Sequence, residues 1–102
     1  MKAHTLETQS AISPNKAIEL LQEGNARFVK NKEVSRDLLA QVSDTSTGQY
    51  PFATILSCID SRVSSEIIFD QGIGDIFSAR VAGNFVNEDI LGSMEFACKL
   101  AG

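Results

Sequence analysis

A chain of 102 residues, 43% of them hydrophobic, is long enough for one small domain with a modest apolar core. The 9 lysines and arginines against 13 aspartates and glutamates give a net charge of −4, without a basic run that would attract a polyanion. No apolar stretch has the length of a membrane span, and the polar N-terminus lacks the core of a signal peptide. We therefore expect neither nucleic acid nor a membrane as a partner.

Residues 1–12 show no periodicity and are predicted to form a flexible or partner-docked tail. Residues 13–102 are then predicted to form a single domain. Ser13 and Pro14 have the residue types of an N-cap and a first helical position, and apolar residues at helical spacing predict a helix to about residue 32. A second short helix is predicted within residues 35–47.

The middle of the chain has the pattern of a βαβ unit. Residues 52–57 form a short apolar run, typical of a strand buried on both faces of a parallel sheet. Ser64 is a candidate cap for a short helix, and residues 75–81 predict a second strand. Two parallel strands bury little apolar surface, so we expect a truncated α/β domain, an incomplete parallel sheet preceded by N-terminal helices.

The last predicted helix begins at Asn87 and carries an apolar stripe that includes Cys98. Cys98 is therefore expected to pack in the core. It forms no C-x-x-C pair with Cys58, the other cysteine of the chain, so the sequence predicts reduced thiols and a cytoplasmic location. The single histidine, His4, lies in the predicted tail.

Cys58, Asp60 and Arg62 follow the first predicted strand at alternate positions. Ligands of parallel α/β sheets bind at the carboxyl ends of the strands, and extended backbone would point these three side chains the same way. A purely structural salt bridge between Asp60 and Arg62 is the alternative interpretation. The thiol emerging from the core beside this pair favours a functional site.

Three chemistries use a cysteine in such a position. A phosphate-binding loop of the tyrosine-phosphatase kind needs C-x5-R, whereas Arg62 follows Cys58 by only four positions. An acyl-transfer cysteine needs a histidine base, and His4 is remote in sequence. Zinc ligation needs only a deprotonated, well-placed thiolate, with other ligands supplied from elsewhere in the fold.

The motif C-x-D-S-R, preceded by "PFATIL" and followed by "GDIFSARVAGN" and "ILGSMEFA", resembles the first half of a β-class carbonic anhydrase, from about residue 13 to residue 102. The resemblance implies a zinc enzyme, a lyase that interconverts carbon dioxide and bicarbonate. It also implies an α/β fold around a mainly parallel sheet and a dimer as the basic unit.

The resemblance implies a role for each residue of the motif. Cys58 is a zinc ligand, and Asp60 and Arg62 form the catalytic dyad. Asp60 accepts a hydrogen bond from the zinc-bound water or hydroxide while Arg62 holds it, and in an inactive form Asp60 ligates the metal itself. The turn containing Gly83 and Asn84 borders the substrate pocket.

The zinc site implied by the resemblance is incomplete in this chain. The family's other ligands, in an H-x-x-C motif, belong on a strand after residue 102. We therefore expect the 102 residues alone to be inactive, and to associate as a dimer or swapped assembly. The alternative function is a non-catalytic fragment that serves as an oligomerising or complementation module.

Overall fold

The computed structural model describes residues 2–102. The elements, in chain order, are α1 (Leu6–Ser10), α2 (Pro14–Val29), α3 (Leu38–Asp44), β1 (Ala53–Ser57), α4 (Ser65–Ile68), β2 (Ile76–Arg80), α5 (Glu88–Glu95) and a π-helical segment (Phe96–Leu100). The strands pair in parallel, with Ala53 opposite Ile76 and Ser57 opposite Arg80. Because α4 connects two parallel neighbours, the predicted βαβ unit is confirmed. None of the helices in residues 2–102 is both long enough and apolar enough to cross a membrane.

Side-chain caps explain where the longer helices begin. The Ser13 hydroxyl accepts a hydrogen bond from the Lys16 amide at 3.1 Å, as the sequence predicts, and Asn87 caps α5 in the same way. Helix α2 ends at Val29, before the predicted end, because Asn31 has a φ of 56°. This left-handed residue ends the helix through a bond from the Lys32 amide to the Arg27 carbonyl.

Residues 6–10 are helical, although the sequence predicts no regular element in the first twelve residues. Thr5 and Thr8 form a reciprocal capping box at the start of α1. The usual partner three residues after the cap is glutamate or glutamine, so the pair carries a weak sequence signal. The buried Gln9 donates to the carbonyls of Pro51 and Ala101 at 2.7 and 2.9 Å, which ties α1 to the start of β1.

The apolar core within residues 2–102 is small, with Ala17, Ile76 and Ala97 as its buried apolar side chains. All five residues of β1 are half-buried, whereas the sequence predicts a strand buried on both faces. The sheet contains two strands, which lie side by side and therefore do not cover each other's faces. The expected core position of Cys98 is wrong: Cys98 is exposed, and so is Leu91 of the same apolar stripe, because the two-stranded sheet leaves most of this helical face uncovered.

An ion cluster around Asp70 compensates in part for the small core. The buried Asp70 carboxylate accepts from the guanidinium groups of Arg27 and Arg36, both at 2.6 Å, and from the Val34 amide at 3.0 Å. These donors lie on α2 and on the loop before α3. Asp70 follows α4, so the cluster ties the N-terminal helices to the βαβ unit.

Candidate functional site

The site forms where the two parallel strands end. Cys58 comes directly after β1, and the turn that contains Gly83 and Asn84 follows β2. The Val81 amide donates to the Ser57 carbonyl at 3.0 Å and extends the ladder by one step beyond the strands. The two loops therefore leave the sheet side by side, at the edge where α/β proteins bind ligands.

Asp60 and Arg62 form a tight local pair in the loop after β1. The Arg62 amide and Nε both donate to Asp60 Oδ1 at 2.9 Å, and Arg62 Nη2 donates to Oδ2 at 2.6 Å. The Val63 amide donates to the Asp60 carbonyl at 3.2 Å, which closes a turn. The expected extended backbone over residues 58–62 is therefore wrong, because the Asp60 side chain caps this turn.

Charge and hydrogen bonding favour the ionised carboxylate of Asp60. The Arg62 side chain, followed by the Arg62 amide, holds the pKa of Asp60 below its ordinary value. The Asp60 side chain is 30% exposed and that of Arg62 is 85% exposed, so the pair faces solvent. An ionised Asp60 can only accept hydrogen bonds.

The Cys58 thiol lies against backbone amides of both loops. Hydrogen bonding from the Gly83 amide, and then from the Asp60 amide, lowers the pKa of Cys58 below that of an ordinary thiol. Gly83 has a φ of 81°, a backbone conformation that residues other than glycine rarely adopt. The turn predicted to border a substrate pocket thus places an amide donor beside the thiol.

Arg80 is the site residue that the sequence analysis missed. It ends β2 opposite Ser57, and its guanidinium reaches the loop after β1. Arg80 Nε donates to the Cys58 carbonyl at 3.0 Å, while Nη2 donates to the carbonyls of Asp60 and Val63 at 2.7 and 3.0 Å. Its position at the end of the second predicted strand was the available signal, because parallel pairing brings that end beside Cys58.

A cation bound at Cys58 would lack a full set of ligands among residues 2–102, where no three His, Cys, Asp or Glu side chains are arranged to hold a metal. His4 packs its ring against Phe52 at 5.3 Å, and Cys98 lies beside Phe52 and Ala53. Both therefore lie at the start of β1, roughly 16 Å from Cys58 along the strand. The thiolate of Cys58 fits one position of a zinc site, and the described residues alone do not complete it.

Two cavities lie outside the Cys58 loop. One, of about 430 Å³, lies between the loop before α3 and the segment that joins α4 to β2, and the other, of about 790 Å³, lies between β2 and α5. Neither is lined by Cys58, Asp60, Arg62, Gly83 or Asn84. These two cavities are therefore separate from the Cys58, Asp60 and Arg62 side chains.

Comparisons with known proteins assign the chain to a family. A family model described as "Carbonic anhydrase" matches residues 53–102, a segment that contains both loops. Carbonic anhydrase 2 of Mycobacterium tuberculosis is 43% identical over 86 residues, which cover 83% of this chain and 42% of that protein. A carbonic anhydrase of Mycolicibacterium smegmatis is 42% identical over 87 residues, with the same two coverages.

A solved structure gives the same result at the level of fold. The β-carbonic anhydrase CcaA superposes with a TM-score of 0.53 at 31% identity, over 85% of this chain and 42% of that chain. The chain spans about two fifths of the length of these relatives. By sequence and by fold, it belongs to the β-class carbonic anhydrase family and corresponds to part of the length of its members.

Proposed function

We propose that this chain contributes Cys58, Asp60 and Arg62 to the active site of a zinc-dependent carbonic anhydrase, which interconverts carbon dioxide and bicarbonate. The observation that carries this proposal is the meeting of a thiol with a lowered pKa and an arginine-held carboxylate at one strand end. Metal ligands and nucleophilic cysteines need the thiolate, and the amide donors beside Cys58 favour that form.

Each side chain has a separate task in this proposal. The Cys58 thiolate binds the metal, and a bound zinc ion supplies the Lewis acidity that activates water as a nucleophile. Asp60 orients that water by accepting its hydrogen bond, and Arg62 keeps Asp60 ionised and fixed. Asp60 Oδ1 accepts two hydrogen bonds from Arg62 and Oδ2 accepts one, so Oδ2 retains a lone pair for the water.

The same lone pair of Asp60 Oδ2 accounts for the inactive form that we include in the proposal. A carboxylate oxygen that binds the metal cannot at the same time accept the hydrogen bond of the water. Asp60 therefore either orients the water or ligates the zinc. We propose that Gly83 and Asn84 border the substrate and that an H-x-x-C segment supplies the further zinc ligands.

We also propose that the chain acts as a homo-oligomer, either a dimer or a swapped assembly. The support is the amount of apolar surface left exposed by one copy, including Leu39 at 82%, Val29 at 73% and Leu100 at 76%. The same surface supports the second candidate function, a non-catalytic module that oligomerises or complements another polypeptide. Light scattering checks the association, and a sharp monomer with cooperative unfolding would contradict it.

Zinc analysis and stopped-flow carbon dioxide hydration test the enzymatic proposal. We expect the 102-residue chain alone to show negligible turnover, because residues 2–102 do not bring together the three protein ligands of a catalytic zinc. A polypeptide carrying the family's H-x-x-C segment should restore zinc-dependent turnover. Cys58→Ser should remove most bound zinc and the restored activity, and Cys98→Ser, the matched control, should retain both. Undiminished zinc in Cys58→Ser would refute the ligand assignment, and absence of turnover in the complemented chain would favour the non-catalytic module.

A further inference from the structure

We propose that Arg80 is a positioning residue for the candidate zinc site, because its guanidinium holds the backbone turn that carries Cys58, Asp60 and Arg62. This inference rests on the proposed function of that site and adds a residue to it. Arg80 acts through the main chain of residues 58–63, at a distance from any reacting atom.

The hydrogen bonds of Arg80 converge on one short segment. Its Nε atom donates to the Cys58 carbonyl at 3.0 Å, and its Nη2 atom donates to the Asp60 carbonyl at 2.7 Å and to the Val63 carbonyl at 3.0 Å. These three carbonyls belong to residues that follow β1, beyond the last ladder bond between the strands. Within a sheet, carbonyls accept hydrogen bonds from a neighbouring strand. Arg80 supplies the donors for these three carbonyls instead.

The spacing of the three carbonyls explains how one side chain positions the site. The Cys58 and Asp60 carbonyls flank Ile59, so holding both restricts the backbone torsions that set the directions of the Cys58 and Asp60 side chains. The third bond, to Val63, fixes the far end of the turn that brings the Arg62 amide to Asp60 Oδ1. The thiol and the carboxylate thus keep a constant relative position.

The backbone of Arg80 belongs to β2, so the sheet fixes the point from which its side chain extends. Arg80 pairs in register with Ser57, the residue immediately before Cys58. A guanidinium is planar and always charged, and its donors point along separate directions. A lysine ammonium at this position would keep the charge, but its single nitrogen cannot replace both Nε, which binds the Cys58 carbonyl, and Nη2, which binds the carbonyls of Asp60 and Val63.

Amide hydrogen exchange measured by NMR tests whether Arg80 holds the turn, without any metal or activity. In Arg80→Gln and in Arg80→Lys, we expect the amides of Arg62 and Val63 to exchange about tenfold faster than in the unmodified chain. The Phe52 amide, which donates to the Asp75 carbonyl at the opposite end of the strands, should exchange at an unchanged rate. Lys99→Gln removes an equal charge from an exposed position and should leave all three amides unchanged.

Zinc affinity of the chain complemented with the H-x-x-C polypeptide, measured by competition with a chromophoric chelator, tests whether the held turn serves the site. Loss of a group that orients a metal ligand typically weakens metal affinity by about ten- to a hundredfold, and we expect a loss in this range for both Arg80 variants. Failure of Arg80→Lys to restore the affinity would show that geometry, and not charge, is needed. Lys99→Gln should bind zinc like the unmodified chain.

The outcomes separate this inference from the proposed function. Unchanged exchange at Arg62 and Val63 would overturn the role of Arg80, as would faster exchange with unaltered zinc affinity. If Arg80→Gln does not fold, the exchange rates of Arg80→Lys decide. If the unmodified chain complemented with the H-x-x-C polypeptide binds zinc no better than complemented Cys58→Ser, the proposed function fails, while the exchange rates still decide whether Arg80 holds the turn.

Discussion

Arg62 binds the Asp60 carboxylate through both its backbone amide and its guanidinium, with N···O distances from 2.6 to 2.9 Å. One residue thus supplies all three donors, one from its backbone and two from its side chain. The pair forms within a single turn and needs no distant element to bring its members together. Its orientation relative to Cys58, in contrast, depends on the contacts that hold the turn against β2.

Replacing Arg62 separates orientation from metal binding. Arg62→Ala should lower carbon dioxide hydration by the complemented chain by about a hundredfold, since a misplaced acceptor costs this much, while the zinc content stays near that of the unmodified chain. Arg62→Lys keeps the charge but loses the two-pronged contact, so it should restore only a small part of the activity.

Stopped-flow hydration and zinc analysis on the same samples check this prediction. Lys16→Ala, which removes an exposed cation paired with Glu19 on α2, serves as the control and should change neither quantity. Parallel losses of zinc and activity in Arg62→Ala would show instead that Arg62 maintains the metal site as a whole.

The pH dependence of alkylation should distinguish the two cysteines. Amide donors from Gly83 and Asp60 lower the pKa of Cys58, so its reaction with iodoacetamide should reach half of its maximal rate at a lower pH than that of an ordinary thiol. Gly83→Ala strains the turn at a φ of 81° and should move this midpoint upward. Mass spectrometry of the alkylated peptides, with exposed Cys98 as the internal reference, gives both profiles. A Cys58 midpoint at or above the ordinary value would contradict the prediction.

The Asp70 cluster should make stability fall in acid. Burial alone would raise the pKa of Asp70, but hydrogen bonds from Arg27, Val34 and Arg36 outweigh it and hold the pKa below the ordinary value. A carboxyl whose pKa is lower in the folded state contributes its full stability above its unfolded pKa. That contribution is lost as the pH falls through the folded pKa.

Urea denaturation followed by circular dichroism at a series of pH values checks the effect. Asp70→Asn should lower the free energy of unfolding at neutral pH by about 3 kcal/mol, because Arg36 is left buried without its carboxylate partner. The difference between this variant and the unmodified chain should shrink in acid. Asp44→Asn, at an exposed position at the end of α3, should change stability little. A difference that stays constant with pH would refute the assignment.

Two helical glycines should respond in opposite ways to alanine. A Cβ at Gly24 of α2 would lie 1.7 Å from the Phe69 carbonyl oxygen, so Gly24→Ala must push α2 away from the segment after α4. We expect a loss of about 1–3 kcal/mol, the usual cost of overpacking. A Cβ at Gly92 of α5 would meet nothing within 4 Å, so Gly92→Ala should stabilise the chain by up to about 1 kcal/mol through helix propensity.

Thermal melts of the two glycine variants check this contrast. The chemical change is the same in both, so a difference in sign isolates the close approach of α2 to the Phe69 carbonyl. Equal stabilisation by both substitutions would mean that α2 does not rest against that carbonyl in solution.

The sequence by itself determined the order of the helices and strands from α2 to α5, and it placed the candidate site directly after β1. Ser13, Pro14 and Asn87 act locally as helix starts, and the apolar run after Pro51 has the length of a strand, so short-range patterns were sufficient. The same holds for Cys58, Asp60 and Arg62, because they follow directly on β1. The alternate spacing of these three residues did not predict the directions of their side chains, since the Asp60 side chain stabilises a turn in place of the expected extended backbone.

Only the tertiary structure decided which distant groups complete these local features. Arg80 meets the Cys58 loop because β1 and β2 pair in a particular parallel register, which no local pattern specifies. Glycine has a low helix propensity, so the sequence does not explain Gly24 within α2. The tertiary structure does, because the Phe69 carbonyl, which follows α4, packs against it. Gln9 is buried for a similar reason, because its hydrogen-bond partners are the carbonyls of Pro51 and Ala101. Propensity and periodicity act over a few residues, whereas these contacts depend on how the elements pack.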